Sequence, residues 1–343
     1  MIKFYQLPEE TKERIYKNTG EKNNLPAYAI EKDWWVVHTL SILQGTEIGE
    51  HLVFKGGTSL SKAWSVIERF SEDIDLGVDR KFFGFEGELG KNQRTYLRKA
   101  ANKYITETLF PELKDVFNKT GIKDVKIELE ETKSSDQDPV IINLYYPALI
   151  ESPGYIQPRV QIEIGCRSLR EPFENRSISS IVDSSYPKTD FNQDSITVPT
   201  VLPERTFLEK IFLLHEEFQR PKEKIRVDRM SRHLYDIYQI SKTDFAEKAL
   251  GNKELYESIV KHRHRYTRIG GVDYNLHQSQ TINFLPSEEL MPSWKADYEK
   301  MQEQMIHGDS PKFEDLIKSL IELKEKMNTV DWKMDAGFPP VKK

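Results

Sequence analysis

The chain has 343 residues, 38% hydrophobic and 31% charged, with one cysteine and a formal net charge of −5. This apolar content excludes a disordered chain, and the lone Cys166 excludes an intramolecular disulfide or a Cys-rich zinc site, which fits a reducing cytoplasm. There is no apolar run of about 18 residues and no apolar signal-peptide core behind the polar N-terminus, so a soluble cytoplasmic protein without membrane association is expected.

Taken in chain order, the N-terminal stretch reads as helical. Its main helix covers Ala27 to Leu43, where Ile30, Trp34, Val37 and Leu40 recur at helical spacing. A short strand, Leu52-Val53-Phe54, runs into Gly56-Gly57, and a helix is predicted from about Ser59 to Arg69 on the face Leu60, Ala63, Trp64 and Ile67. Ile74, Leu76 and Val78 alternate with Asp73, Asp75 and Gly77, which is strand periodicity. A charged helix follows from about Lys91 to Phe110, and then three β-like runs, 125–129, 140–146 and 159–166. The segment 169–195, rich in Ser, Asn, Pro and Asp, reads as loop with at most one short strand. From Pro203 onward the pattern is helical. The fold class is therefore α/β (α+β), with an α/β domain over 1–200 and a helical domain over 201–335.

A strand that ends in Gly-Gly and feeds a helix suits a phosphate: glycine admits close backbone approach, and free N–H groups face the anion. An ordinary turn reads the same way, and the spacing is not that of a P-loop. Asp73 and Asp75 lie two apart on a strand and so point to one face, ~7 Å apart. Two such carboxylates suit a hard cation such as Mg²⁺, or else form a solvent-facing strand edge. Phosphate loop and carboxylate strand are joined by one predicted helix, which returns both to the same side of a sheet.

These runs, Phe54-Lys55-Gly56-Gly57-Thr58-Ser59-Leu60-Ser61-Lys62 and Arg69-Phe70-Ser71-Glu72-Asp73-Ile74-Asp75-Leu76, closely resemble the AbiEii/AbiGii toxin family. Glu31-Lys32-Asp33-Trp34-Trp35 resembles that family's N-terminal helix, and the likeness continues to Pro311-Lys312-Phe313-Glu314-Asp315-Leu316. The resemblance implies a nucleotidyltransferase domain of the polymerase-β type with a mixed sheet, and a helical domain completing the active-site cleft. It implies transfer of a nucleoside monophosphate from an NTP, with Mg²⁺ or Mn²⁺, to an acceptor such as the 3′ end of tRNA. The setting would be a toxin–antitoxin or phage-defence system, with growth arrest restrained by an antitoxin encoded nearby.

On this reading Asp73 and Asp75 hold the metal, while Gly56, Gly57, Thr58 and Lys62 meet the nucleotide. Glu163, which alternates with Val160, Ile162 and Ile164, is the candidate third carboxylate or general base, with Glu128 its rival. An ordinary solvated strand glutamate has the same pattern. Lys210 lies within the apolar stripe Phe207, Ile211, Leu214 and Phe218, so it must snorkel out or meet an anion. Likeness to the family assigns Lys210 nucleotide contact and makes Asp236 functionally required; His233 stands where the family carries an acid. The residues alone offer an i,i+4 pair of Asp236 with Arg232. Two basic stretches, 220–232 and 261–268, could bind RNA through Arg229, Arg232, Lys261, Arg263, Arg265 and Arg268, with Tyr266 stacking on a base. Solvated helix faces have the same composition. Two other functions fit the same residues: phosphotransfer from an NTP to protein, and a non-catalytic GTP- or NTP-binding module.

Overall fold

The computed structural model describes residues 1–71, 73–122, 124–152, 157–168 and 170–341. By its packing the chain forms two compact units, one of residues 1–64 and 70–201, the other of residues 65–69 and 202–343.

The first unit opens with helices α1 (Ile2–Tyr5), α2 (Glu9–Asn23) and α3 (Ala27–Gln44), then β1 (Leu52–Lys55), α4 (Gly56–Lys62) and β2 (Asp73–Val78). Helix α5 (Lys91–Tyr104) passes through a π-type turn into α6 (Phe110–Lys119). Strands β3 (Lys126–Leu129), β4 (Val140–Tyr145), β5 (Arg159–Gly165) and β6 (Phe173–Ile178), helix α7 (Ile181–Ser185) and strand β7 (Ile196–Val201) complete it. The strands make one mixed sheet in the order β3-β4-β5-β2-β1-β7-β6. Strand β2 is antiparallel to β1 and parallel to β5.

One face of this sheet is the core. Ile74, Leu76, Ile162, Ile164, Ile142 and Leu144 are at most 1% exposed and pack with Trp34, Trp35, Val37 and Leu40 of α3. Full burial of each such side chain contributes ~1.5–3 kcal/mol. Helix α3 is buried nearly all round, and Glu31, Lys32 and Asp33 are each only 2% exposed. The apolar stripe that marks this helix in the sequence is therefore one side of a fully enclosed element.

Two local expectations change. Helix α4 starts at Gly56 and stops at Lys62, well short of Arg69. Ser65 takes φ 52°, a left-handed conformation that a helix cannot continue through. The segment 169–195, from which Leu169 falls outside the described residues, holds the one short strand it allowed, β6, and in addition the helix α7 where loop was expected. Strand β6, Phe-Glu-Asn-Arg-Ser-Ile, pairs only with β7 in the described sheet and is largely exposed, so it carries no apolar alternation to read. Strand β7 contains Pro199, which argues against a sheet interior. It is tolerated because the pairing with β1 has the single register pair Phe54↔Thr200.

The second unit consists of α8 (Pro203–Phe218), α9 (Ser231–Ser241), α10 (Asp244–Gly251), α11 (Lys253–Tyr266), α12 (Met291–Gln304) and α13 (Phe313–Asn328). Helix α8 packs against α9, α10 and α11, with Phe207, Ile211 and Leu214 fully buried. Residues 65–69 are built into this unit: Arg69 bridges Ile306, and the Glu68 carbonyl accepts from the His307 N–H at 3.0 Å. No helix among the described residues is long and apolar enough to cross a membrane.

Candidate active site

Register decides which acids meet. Along the parallel pair β2–β5, Asp73 lies opposite Gln161 and Asp75 opposite Glu163. Residues paired this way share a sheet face, so Asp73, Asp75, Gln161 and Glu163 form one half-buried polar patch opposite the isoleucines and leucine of the core. The Gln161 amide donates to the Glu163 carboxylate at 2.7 Å and so orients it. Glu163 is one strand from Asp75, ~4.8 Å by sheet spacing. Glu128 is on β3, three strands from β2, ~14 Å by the same spacing, and its carboxylate meets Lys126 at 2.5 Å.

The chain turns from β1 into α4 at Gly56, with φ +79°, against the Asp75 carboxylate. A Cβ at Gly56 would overlap an Asp75 carboxylate oxygen and lie 2.9 Å from the carboxyl carbon. Backbone conformation and space therefore both demand glycine here. Thr58 is fully buried, its hydroxyl donating to the Asp73 carbonyl at 2.5 Å and lying 2.9 Å from the Ser71 hydroxyl. It ties α4 to the start of β2 and spends its hydroxyl on that tie. Lys62 forms an ion pair with the buried Asp33 of α3, which also accepts from the Ile181 N–H at 2.7 Å. Glu72 lies outside the described residues.

The oxygen donors of this patch, three carboxylates and the Gln161 amide, suit Mg²⁺ or Mn²⁺ over softer metals. Among the described residues no group of three His, Cys, Asp or Glu gathers into a ready cation cage. The patch sets a pair of aspartates beside a backbone kept bare of Cβ at Gly56.

The second unit holds a different cluster. Asp236 on α9 is fully buried, with Arg69 bound to it through both carboxylate oxygens, 2.7 and 2.8 Å, and Lys210 of α8 at 2.9 Å. Asp236 loses solvation on burial, but Arg69 and Lys210 overcome that and hold its carboxyl well below the usual carboxylate range. Desolvation pulls the Lys210 ammonium down, against the pull of Asp236. His233 lies 3.5 Å from Lys210 and is driven well below its ordinary value by burial and by the adjacent cations. The anion that Lys210 requires is thus Asp236, and the cation that embraces Asp236 is Arg69, from a distant part of the sequence.

Residues 41–334 match the family model described as "Nucleotidyl transferase AbiEii toxin, Type IV TA system". The chain belongs to the AbiEii nucleotidyltransferase toxin family. It is accordingly a transferase of a type IV toxin–antitoxin system. Among solved structures it is similar to the MenT4 nucleotidyltransferase toxin of Mycobacterium tuberculosis H37Rv, at 17% identity and a TM-score of 0.46, over 94% of this chain and 98% of that one. No curated protein matches it.

In this AbiEii-family chain the basic stretches are partly consumed by internal acids. Arg263 clamps the fully buried Glu216 at 2.7 and 2.5 Å, and His277 joins the same carboxylate at 3.3 Å. Arg220 and Arg226 both bind Glu217, 1% exposed, and Lys261 pairs with Glu257 at 2.8 Å. Tyr266 is buried and stacks on His262 with centroids 4.6 Å apart, so its ring is already covered on one face. Arg229 adopts φ 59°, and its N–H donates to Asp297. Arg232 is half-buried on α9, whereas Arg265 and Arg268 remain exposed. Arg69 is the residue that sequence reasoning passed over. Its signal was indirect: Asp236 stands among Leu234, Tyr235, Ile237 and Ile240, all fully buried, and a carboxylate there requires a cation from somewhere.

Proposed function

We propose that this chain transfers a nucleoside monophosphate from an NTP to an RNA 3′ hydroxyl, tRNA being the acceptor class, with a Mg²⁺ or Mn²⁺ ion held by Asp73 and Asp75. One observation carries the reading: Asp73, Asp75 and Glu163 share a half-open sheet face, and the backbone entering α4 is kept free of a Cβ directly against Asp75. The cation would neutralise phosphate charge as the displacement proceeds. The attacking hydroxyl oxygen forms a bond to the α-phosphorus, the bond to the bridging oxygen breaks, and pyrophosphate leaves. Glu163, oriented by Gln161, accepts the proton of that hydroxyl. Gly56 and Gly57 present backbone rather than side chain to the phosphates. Membership of a type IV system supports an antitoxin that restrains the activity, and growth arrest when it is absent.

The test supplies each NTP labelled at the α-phosphate, with Mg²⁺ and total RNA, to the wild-type chain and to Asp75→Ala. Label in RNA with wild type alone is expected. Transfer of γ-label to protein without α-label in RNA would instead establish phosphotransfer, and nucleotide binding with no transfer at all would leave a binding module.

A further inference from the structure

Helix α5 carries the most one-sided charge in the first unit. Residues 91–106 hold Lys91, Arg94, Arg98, Lys99 and Lys103 and no acid, in a chain whose net charge is −5. Its inward face is well anchored: Leu97 and Ala101 are at most 1% exposed and pack with Cys166 and Leu89, and Arg98 binds Asp136 at 2.6 Å. The opposite face is open. Asn92, Tyr96, Lys99 and Lys103 recur at helical spacing within one ~60° stripe, and all four are exposed. Tyr96 is 61% exposed, the most of any large hydrophobic side chain among the described residues. Lys103 pairs with Glu107 at 3.9 Å, with both side chains largely in water. Such a pair is worth little and yields readily to a phosphate.

The position of the stripe gives it a use. Cys166, under α5, directly follows β5, and Arg80–Phe83, which also contacts α5, follows β2. Helix α5 therefore packs at the C-terminal ends of the two strands that carry Glu163 and Asp75. Three residues of strand separate Asp75 from that end and two separate Glu163, ~10 and ~7 Å, and Cys166 continues the alternation of Ile162 and Ile164, so α5 meets the strand ends from the apolar side of the sheet.

We propose that the outward face of α5, with Tyr96 as a stacking platform and Lys99 and Lys103 as phosphate contacts, binds single-stranded acceptor RNA several nucleotides before its reacting end, beyond the strand ends that lead back to the carboxylate patch. An aromatic ring flanked by cations on a solvated helix is what sequence-tolerant single-strand binding needs: a base stacks on the ring and the backbone follows the charge. This inference rests on the nucleotidyl-transfer reading above and names the surface that presents its acceptor.

The experiment uses the full chain as Tyr96→Ala, Lys99→Glu/Lys103→Glu and the conservative Tyr96→Phe and Lys99→Arg/Lys103→Arg. Binding to fluorescein-labelled bulk tRNA is measured at several salt concentrations in an Asp75→Ala background, and KM for RNA and for NTP in the active chain. Tyr96→Ala should weaken RNA binding roughly tenfold, with Tyr96→Phe close to wild type. The double charge reversal should lower the slope of log K against log salt by about 1.4, that is, about 0.7 for each lost phosphate contact, with the arginine pair restoring it. KM for RNA should rise with KM for NTP unchanged. Unchanged RNA affinity and salt slope in folded variants overturn the proposal, and so does loss of antitoxin neutralisation with RNA use intact, which would make α5 a protein-docking face. If the wild-type chain labels no RNA, the transfer reading fails instead, a result distinct from either.

Discussion

The two aspartate sites treat the same functional group in opposite ways. In the first unit Asp73 and Asp75 sit half-buried on one sheet face, with Glu163 in register with Asp75. In the second unit Asp236 is fully buried and held by Arg69 and Lys210. Like charges held near one another in partial contact with water raise the energy of the apo protein and lower it again when a cation arrives. A desolvated acid wrapped by two cations already has its partners. The difference separates acids that share a partly solvated face from an acid whose charge is already answered by its neighbours.

The sharpest way to break this comparison is at its active end. Asp75→Ala should reduce α-phosphate label transfer by roughly 10³-fold or more while leaving the melting temperature unchanged or slightly raised. A large loss of stability in that variant would mean that Asp75 holds the fold together. Asp236→Ala should do the reverse first. Leaving Arg69 and Lys210 buried without their carboxylate should cost about 4 kcal/mol, read by urea denaturation. Because the folded-state carboxyl lies below its unfolded value, this contribution is present above the ordinary aspartate range and disappears as pH falls beneath it. An Asp236→Ala chain with undiminished stability and no activity would move Asp236 to the catalytic side of the comparison.

Glu31 lies between the two extremes, buried at 2% exposure and held by the Leu149 and Ile150 N–H groups at 2.9 and 3.0 Å. Desolvation pushes its carboxyl from 4.5 up to about 7 despite those two hydrogen bonds. A raised acid favours the folded state most at low pH, so its contribution is full below the unfolded value and is lost as pH rises through about 7. Stability should therefore fall by about 3 kcal/mol from this group between pH 4 and pH 8, and Glu31→Gln should flatten that stretch of the profile. The smallest effect concerns the contact that shapes the open site. Gly56→Ala should cost about 2 kcal/mol from strained φ and overlap with Asp75. In the Asp75→Ala background the cost should shrink by about 1 kcal/mol, a coupling that a double-mutant cycle measures directly.

Much of the open site was legible because its signals are local. The alternation of Asp73 and Asp75 with Ile74 and Leu76 follows from strand geometry, and the same alternation placed Glu163 on a polar face. The mixed α/β architecture and the helical second half were likewise written in periodicity. The shortness of α4 was hidden, because Leu60, Ala63, Trp64 and Ile67 keep helical spacing after the helix has ended. Those side chains are drawn inward by packing, which a periodicity count cannot distinguish from helix. Lys210 was marked as needing an anion, yet Asp236 and Arg69 could not be matched to it. Basic stretches at 261–268 looked free for RNA until Glu216 and Glu257 were seen beside them.

The sequence by itself determined the strand–Gly-Gly–Asp-x-Asp arrangement, its family and the chemistry its carboxylates favour, because backbone geometry converts residue spacing into facing side chains within a few residues. Only the tertiary structure decided that Glu163 and not Glu128 stands beside Asp75, that Arg69 answers Asp236, and that Tyr96 is left in water. Those outcomes depend on sheet order and helix packing, which bring together residues far apart in the chain and remove water from some charges while leaving it on others.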